Sequence, residues 1–291
     1  MNLSARALFN DVVKSINIYS LEEKKALAFL ILEKTLLINK NQILTAASIP
    51  FPSEVEIENL NLILGRINAS EPIQYIFEEA DFFGKKYFVN PSVLIPRQET
   101  EELVWKIVNE TETNKTVRIL DLCTGSGCIA ISLAHSLPNS ICKGIDISNE
   151  ALAIATKNAL NQNVSVQFFQ QDVFKSFNEQ IKGNKYDILV SNPPYVTESE
   201  KTMMHTNVLS YEPHLALFVS NETPLIFYEA ILKKAKSLLQ KGGRLYFEIN
   251  ESFGQTLKTL MSKEGFSDIE ISKDIHGKDR IARATWEQDI I

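Results

Sequence analysis

The chain has 291 residues, of which 44% are hydrophobic and 23% charged, values typical of a soluble globular protein with one or two domains. The formal net charge of −6 argues against a broad nucleic-acid-binding face, because such faces carry an excess of Lys and Arg. No apolar run reaches the roughly 20 residues that a membrane span requires, and the first residues lack the apolar core of a signal peptide, so we expect a cytoplasmic protein.

The first part of the chain, residues 1–75, is predicted to form a small helical bundle. Ser20 and Glu23, and again Ser53 and Glu56, have the spacing of a capping box, in which two side chains satisfy each other's backbone N–H groups at a helix start. Apolar residues then recur at helical spacing. Because no catalytic pattern occurs here, we interpret this part as a partner-binding or packing domain.

The next segment, residues 76–95, has the pattern of a β-hairpin, with aromatic residues on both sides of Gly84 in DFFGKKYFVN. We interpret it as a linker. Pro96 then interrupts the chain, and Thr100 is predicted to cap a helix that begins at the following residue. A second domain is therefore expected to span residues 96–291.

This second domain alternates predicted strands with predicted helices. One helix is expected to begin at Thr223-Pro224, with proline at its first helical position, and to end at Gly242-Gly243. Apolar strands that alternate with helices predict an α/β fold with a seven-stranded, mostly parallel, doubly wound, Rossmann-like sheet. The strands are expected at residues 117–122, 141–146, 165–170, 187–191, 244–249, 268–272 and 280–285.

The stretch ILDLCTGSGCIAISLA predicts a strand, a glycine-rich turn and a helix. Gly125 and Gly127 permit positive φ angles and the close approach of a ligand, and ligands of such sheets bind beyond the carboxyl ends of the strands. A G-x-G-x-x-A string also suits a dinucleotide. Asp121 favours S-adenosylmethionine instead, because a carboxylate here would repel a pyrophosphate and attract a cationic amino-acid end, directly or through water.

Two further acidic residues follow the next two predicted strands. Asp146 ends the second strand and can bind ribose hydroxyls. Asp172 comes after the third strand and can accept a hydrogen bond from an adenine amino group, beside an apolar wall of Val173 and Phe174. Together with Asp121, these carboxylates predict a crevice that binds an adenosine.

The stretch DILVSNPPYV ends a predicted buried strand with Asn192, Pro193, Pro194 and Tyr195, a segment that we call the acceptor cradle. The prolines cannot donate backbone hydrogen bonds and restrict the preceding residues to extended geometry. The Asn192 side-chain oxygen and the Pro193 carbonyl can both accept, so they match the two hydrogens of a planar NH2 group, over which Tyr195 can lie. Such a cradle would aim a weakly nucleophilic amide nitrogen at a sulfonium methyl group and stabilise the developing positive charge.

In this order, DLCTGSG, GIDIS, QDV, SNPPYV and YEPHLAL resemble the class I S-adenosylmethionine-dependent methyltransferases and, more narrowly, the release factor glutamine methyltransferase family. The linker around LIPRQETEELV and the C-terminal DIHGKDRIARA extend the resemblance over about residues 70–290. The motifs are specific as a set, whereas NPPY alone is not.

The resemblance implies methyl transfer from S-adenosyl-L-methionine to the side-chain amide nitrogen of the glutamine in the GGQ motif of class 1 peptide chain release factors. The implied products are N5-methylglutamine and S-adenosyl-L-homocysteine, and the N-terminal helices and hairpin are implied to contact the release factor. The substrate glutamine is implied to bind at Asn192, Pro193, Pro194 and Tyr195. The implied cofactor contacts are Cys123, Thr124, Gly125, Ser126, Gly127, Asp146, Asp172 and Val173, to which we add Asp121 and Asn192.

The chain departs from the family pattern near the site. Cys123 stands where glycine is frequent, and we expect this small thiol to be tolerated provided that its φ angle is negative. Asn250 stands where glycine is common, and we expect it not to touch the acceptor cradle. The pattern leaves open the roles of Arg97 and Thr100, which are expected to border the cofactor from the linker side, and of His214.

Two alternatives remain at this level. An amino-directed DNA or RNA methyltransferase uses the same cradle on a flipped-out base, but residues 1–80 carry 7 Lys/Arg against 10 Asp/Glu and offer it no basic face. A degenerate sheet that binds cofactor without catalysis would not need Asp121, Asp146 and Asn192 together. The three cysteines form no CxxC pair and have no histidine cluster beside them, so we expect reduced thiols and no metal site. We also expect a monomer.

Overall fold

The computed structural model describes residues 2–288, and no helix formed by these residues is long and apolar enough to cross a lipid bilayer. They form two compact units. The first comprises the chain up to Phe77 together with His205–Tyr211, and the second comprises Glu78–Met204 and the chain from Glu212 onward. The hairpin that we interpreted as a separate linker therefore belongs to the second unit.

The α-helices of the described residues are α1 Ala5–Ser15, α2 Leu21–Leu36, α3 Lys40–Leu44, α4 Glu54–Asn68, α5 Ile73–Ile76, α6 Gln98–Glu110, α7 Cys128–Ser136, α8 Asn149–Asn161, α9 Glu179–Lys182, α10 Thr206–Tyr211, α11 Ile226–Leu238 and α12 Gly254–Lys263. The strands are β1 Asn2–Ser4, β2 Ser48–Pro50, β3 Glu79–Phe82, β4 Lys85–Phe88, β5 Val117–Leu122, β6 Ser140–Asp146, β7 Val166–Gln170, β8 Tyr186–Ser191, β9 Val196–Thr197, β10 Phe218–Val219, β11 Leu239–Glu248, β12 Ser267–Lys273 and β13 Asp279–Trp286. Short 3-10 helices cover Glu198–Met203 and His214–Ala216.

In the first unit, helices α1 to α5 contribute to one apolar core, and β1 pairs antiparallel with β2 in a two-stranded sheet that was not predicted. Both predicted capping boxes form, at Ser20 with Glu23 and at Ser53 with Glu56. Ile31 of this core is completely buried, and burying an aliphatic side chain of this size stabilises the fold by roughly 1.5–3 kcal/mol.

The second unit contains a seven-stranded sheet in the order β12-β13-β11-β8-β5-β6-β7. Neighbouring strands are parallel except where β13 pairs with β11 and with β12. The predicted mostly parallel, doubly wound sheet is thereby confirmed. Strands β5 and β8 are neighbours, and Leu122 is in register with Ser191, so the residues that follow both strands leave the sheet at the same edge.

The central strands are apolar on both faces because helices cover both faces. Leu120 and Leu189 belong to one core, which includes residues of α11 and α12, whereas Ile119 and Ile188 belong to the other, which includes residues of α6 and α7. All four side chains are completely buried. This layering leaves the carboxyl edge of the sheet as the place where polar groups can meet a ligand.

The predicted start of the first helix after the hairpin is wrong. Helix α6 begins at Gln98 and is preceded by Arg97, so Thr100 lies inside its first turn instead of capping it. The reason is that the Thr100 hydroxyl donates to the side chain of Glu248 at 2.6 Å.

The predicted limits of the helix before β11 are also wrong. Thr223-Pro224 form a turn before α11, in which the Thr223 carbonyl accepts from the N–H of Ile226 at 3.2 Å. Gly242-Gly243 lie within β11 instead of ending the helix. The chain becomes extended already at Leu239, because that residue is completely buried and pairs with Tyr186 of β8.

Candidate active site

The glycine-rich turn between β5 and α7 is held by backbone hydrogen bonds. The N–H of Thr124 donates to the carbonyl of Ile145 at the end of β6 at 2.9 Å, and the N–H of Gly127 donates to the carbonyl of Thr124 at 2.8 Å. Gly127 has a φ angle of +79°, and a Cβ atom there would lie 3.0 Å from the side chain of Ala155. Glycine is therefore required at this position for both its conformation and its packing.

Cys123 opens the turn with a φ angle of +61°, so the condition of a negative φ under which we expected the thiol to be tolerated is not met. Such a conformation is strained for a residue with a Cβ atom. The backbone has to turn at Cys123, because β5 ends at Leu122 and the N–H of Thr124 already donates to β6.

A cavity of about 390 Å³ opens at the carboxyl ends of β5, β6 and β8. It brings the glycine-rich turn, the residues after β6 and β7, and the acceptor cradle to one space. The predicted site residues that line it are Cys123, Thr124, Gly125, Ser126, Asp146, Asp172, Val173, Asn192 and Pro194. The predicted site residues outside its lining are Asp121, Gly127, Pro193 and Tyr195.

Asp121 lies beneath the turn and not in the cavity. Its side chain is completely buried, and Oδ2 accepts from the Thr124 hydroxyl at 2.5 Å. Among the described residues, Oδ1 has no hydrogen-bond partner. Burial, together with the nearby charge of Asp146, raises the pKa of Asp121 to about 7. Asp121 is therefore linked to the cavity through its hydrogen bond with Thr124, a residue of the cavity lining.

Asp146 and Asp172 line the cavity, and the carboxylate of each accepts a hydrogen bond from a backbone N–H group. Asp146 Oδ2 accepts from the N–H of Gly125 at 2.9 Å, and burial raises the pKa of this carboxyl. Asp172 Oδ1 accepts from the N–H of Phe174 at 2.8 Å. The ring of Phe174 contacts that of Phe227 from α11 with centroids 4.8 Å apart, so the apolar wall contains an aromatic residue that the sequence did not indicate.

The acceptor cradle follows β8 directly. The Ser191 hydroxyl donates to the carbonyl of Leu122 at 2.6 Å and so fixes the end of β8 against β5. The Asn192 amide nitrogen donates to the Thr100 hydroxyl oxygen at 3.3 Å. Within residues 2–288, Asn192 Oδ1 accepts no hydrogen bond. Its oxygen is thus available to a donor in the cavity.

Tyr195 ends the cradle outside the cavity lining, where its hydroxyl donates to Glu248 Oε1 at 2.8 Å. The side-chain nitrogen of Asn250 donates to the Tyr195 carbonyl at 3.4 Å and to Glu200 Oε1 at 3.0 Å. The expectation that Asn250 does not touch the cradle is therefore wrong. The cause is the strand order, since β11 lies beside β8 and carries Asn250 to the cradle.

Of the three residues whose roles the sequence left open, Arg97 and Thr100 line the cavity. Arg97 forms an ion pair of 2.5 Å with Glu212, which is only 4% exposed. His214 is not part of the lining, and its ring packs edge-on against Phe218 with centroids 5.1 Å apart.

Glu248 was not predicted from the sequence, although it is only 1% exposed and accepts hydrogen bonds from both Thr100 and Tyr195. One signal could have indicated it. In RLYFEI a single acidic residue interrupts an apolar strand, and a carboxylate buried in this way requires hydrogen-bond partners.

Comparison with known proteins shows the family to which the chain is similar. Residues 99–215 match the family model of the methyltransferase small domain. The chain is 48% identical over 270 residues to the release factor glutamine methyltransferase of Bacteroides thetaiotaomicron, a match that covers 92% of this chain and 95% of that protein. It is 43% identical over 241 residues to the release factor glutamine methyltransferase of Flavobacterium psychrophilum, covering 80% and 84% of the two chains.

Solved structures are similar in fold at much lower identity. A methyltransferase from Pyrococcus furiosus aligns with a TM-score of 0.51 at 18% identity, over 77% of this chain and 98% of that chain. The delta-N METTL16 MTase domain aligns with a TM-score of 0.52 at 17% identity, over 75% and 95% of the two chains. These likenesses support the methyltransferase fold alone.

Proposed function

Because the chain belongs to the family of release factor glutamine methyltransferases, we propose that it methylates the side-chain amide nitrogen of the glutamine in the GGQ motif of class 1 peptide chain release factors. The methyl donor would be S-adenosyl-L-methionine, and the products N5-methylglutamine and S-adenosyl-L-homocysteine. The protein would act as a cytoplasmic monomer whose N-terminal helices and hairpin bind the release factor, without nucleic acid or membrane as partner.

The observation that carries this proposal is that Asn192 and the glycine-rich turn line one cavity. The turn follows β5 and Asn192 follows β8, and these strands are neighbours in the sheet. An acceptor of N–H groups is thereby held next to a pocket of the kind that binds an adenosine cofactor.

The residues of the cavity fit S-adenosyl-L-methionine. Asp146 and Asp172 offer carboxylate oxygens to a ribose and to an adenine amino group, and Val173 and Phe174 offer an apolar surface to the purine. Asp121 places a carboxyl beneath the turn, where its ionised form would favour a cationic amino-acid end and would in turn be favoured by it. When bound, this cofactor supplies a methyl group on positively charged sulfur, and the electron pair of the broken S–C bond stays on sulfur.

The task of the chain's own residues is to orient the substrate nitrogen. A carboxamide nitrogen is a poor nucleophile because its lone pair is delocalised into the carbonyl. We assign one amide hydrogen to Asn192 Oδ1 and the other to the Pro193 carbonyl, which turns the lone pair toward the methyl group and stabilises the positive charge as the N–C bond forms. The methylated nitrogen then loses a proton to water, so no strong general base is required.

A three-arm transfer assay tests the proposal. The purified protein is incubated with methyl-labelled S-adenosyl-L-methionine and, separately, with unmethylated release factor, with the same factor carrying alanine in place of the GGQ glutamine, and with mixed DNA and RNA oligonucleotides. We expect label in the first arm alone. Label in the oligonucleotides would instead support an amino-directed nucleic-acid methyltransferase, and cofactor binding without transfer in any arm would support a degenerate binding module.

A further inference from the structure

Glu248, the last residue of β11, accepts hydrogen bonds from two hydroxyl groups, one of which belongs to the acceptor cradle. Its Oε2 accepts from the Thr100 hydroxyl at 2.6 Å and its Oε1 accepts from the Tyr195 hydroxyl at 2.8 Å. Glu248 itself is only 1% exposed. The carboxylate thus joins a residue of α6 to the last residue of the cradle, in a place that bulk water does not reach.

The bond to Glu248 determines what Thr100 can do toward Asn192. A threonine hydroxyl has one hydrogen to donate, and here an acceptor-only carboxylate takes it. The Thr100 oxygen can then only accept, so the atom of Asn192 that faces it at 3.3 Å must be the amide nitrogen. The two hydrogen bonds therefore run in one direction, with Asn192 donating to Thr100 and Thr100 donating to Glu248. This direction fixes which way the Asn192 amide points.

We propose that Glu248, acting through Thr100, is the positioning residue that holds the Asn192 amide with Oδ1 toward the nitrogen to be methylated. This inference rests on the function proposed above. If the amide were turned over, its NH2 group would face the NH2 group of the substrate, and two donors cannot pair. Asn192 Oδ1 can accept an N–H of the substrate only while Asn192 donates to Thr100 and Thr100 donates to Glu248.

The direction requires an ionised Glu248. Once protonated, its carboxyl could donate to Thr100, which could then donate to Asn192 and allow the amide to turn over. Burial raises the pKa of Glu248, while the hydroxyls of Thr100 and Tyr195 oppose the increase. The titratable and charged groups that face this carboxyl are Glu99 of α6, Cys128 of α7, Tyr195, Tyr228 of α11 and Arg280 of β13.

Two substitutions at Thr100 test the relay. Thr100→Val removes the hydroxyl at nearly constant shape, and Thr100→Ser retains it. Thr111→Val is the matched control, because Thr111 directly follows the same helix, is buried, and donates its hydroxyl to the Ile107 carbonyl at 2.6 Å. With release factor as substrate, we expect Thr100→Val to lower kcat by about 10- to 100-fold, Thr100→Ser to restore most of it, and all three to keep the KM for cofactor within about threefold.

A second variant covers the case in which Thr100→Val does not fold. Glu248→Gln replaces an acceptor-only group by one that can donate, so it should lower kcat to a similar extent. For the wild-type protein with saturating cofactor, kcat should fall on acidification with a midpoint above the ordinary pKa of glutamate, and Glu248→Gln should lack this acid limb. Equal kcat for Thr100→Val and wild type, equal impairment of Thr100→Val and Thr100→Ser, or an unchanged acid limb in Glu248→Gln would each overturn the inference.

A structural readout separates this inference from the proposed function. If wild-type protein transfers no methyl group to release factor, the proposed function fails, and the amide NMR signals of Asn192 still report on the relay. We expect one Nδ2 proton of Asn192 to be protected from solvent exchange in wild type and Thr100→Ser and to lose that protection in Thr100→Val. Identical exchange in all three proteins would overturn the assignment of the amide direction.

Discussion

The carboxylate of Asp146 holds the N–H of Gly125 at 2.9 Å, so the last residue of β6 fixes the glycine-rich turn that follows β5. The other oxygen of the same carboxylate accepts from the N–H of Ser148 at 3.0 Å. Asp146 therefore shapes the wall of the cavity, in addition to the role proposed for its oxygens in binding the cofactor. This double role makes the residue sensitive to substitutions that keep its size but change its charge.

Asp146→Ala is expected to weaken S-adenosyl-L-methionine binding at least about tenfold, because a hydrogen bond to a charged group contributes roughly 1.5–3 kcal/mol. Asp146→Asn should lie between alanine and wild type, since it keeps one acceptor oxygen. Calorimetry of the cofactor with each variant measures this, with Asp81→Ala in the exposed hairpin as a control for removing one negative charge. Equal affinity in Asp146→Ala and wild type would contradict the role of the carboxylate.

Asn192→Ala is expected to lower methyl transfer strongly while cofactor binding largely survives, because the side chain would contact the substrate amide and is not among the residues assigned to the adenosine. Losing an oriented polar group at a reacting centre lowers turnover by about 100- to 1,000-fold. Single-turnover transfer and cofactor titration on the same preparation separate the two effects. The opposite pattern, lost affinity with unchanged turnover, would refute the assignment.

Gly127→Ala is expected to destabilise the protein more than Gly125→Ala. Both glycines have positive φ angles, +79° and +54°, so both variants incur backbone strain of about 1–3 kcal/mol. Only at Gly127 would the new Cβ also meet side chains, with Ala155 and Ile131 at 3.0 Å, whereas nothing lies within 4 Å at Gly125. Urea unfolding of the cofactor-free proteins measures the difference, and equal losses would show that strain alone matters.

Asp121 is expected to make the stability of the cofactor-free protein depend on pH. Burial is the main cause that raises its pKa from 3.8 to about 7, so between these values the folded protein holds a proton that the unfolded chain has released. Stability from this residue is therefore lost as the pH rises through that window, by up to about 4 kcal/mol in total. The unfolding midpoint should fall less between pH 5 and pH 8 in Asp121→Asn than in wild type. An equal fall of the midpoint in both proteins would contradict the prediction.

Local patterns were sufficient for much of the fold. Strand β5 was predicted with the bounds that it has, and the capping boxes at Ser20 and Ser53 form as expected, because strand and helix starts depend on side chains a few residues apart. The helix limits near Thr100 and Gly242-Gly243 were wrong because there a tertiary contact outweighs the local preference. Thr100 bonds to Glu248, and Leu239 is drawn into the sheet.

The order of motifs along the chain determined that a glycine-rich turn, three acidic residues and the Asn192 segment belong to one methyltransferase-like sheet. Only the tertiary structure decided which of these groups reach the cavity and which, like Asp121, lie beneath it. It also decided the direction of the Asn192 amide, through Thr100, which lies 92 residues before Asn192, and through Glu248, which lies 148 residues after Thr100. The physical reason is that a hydrogen-bond direction is set by every donor and acceptor in contact, and these distant groups meet only because β11 lies beside β8 and α6 packs against the sheet.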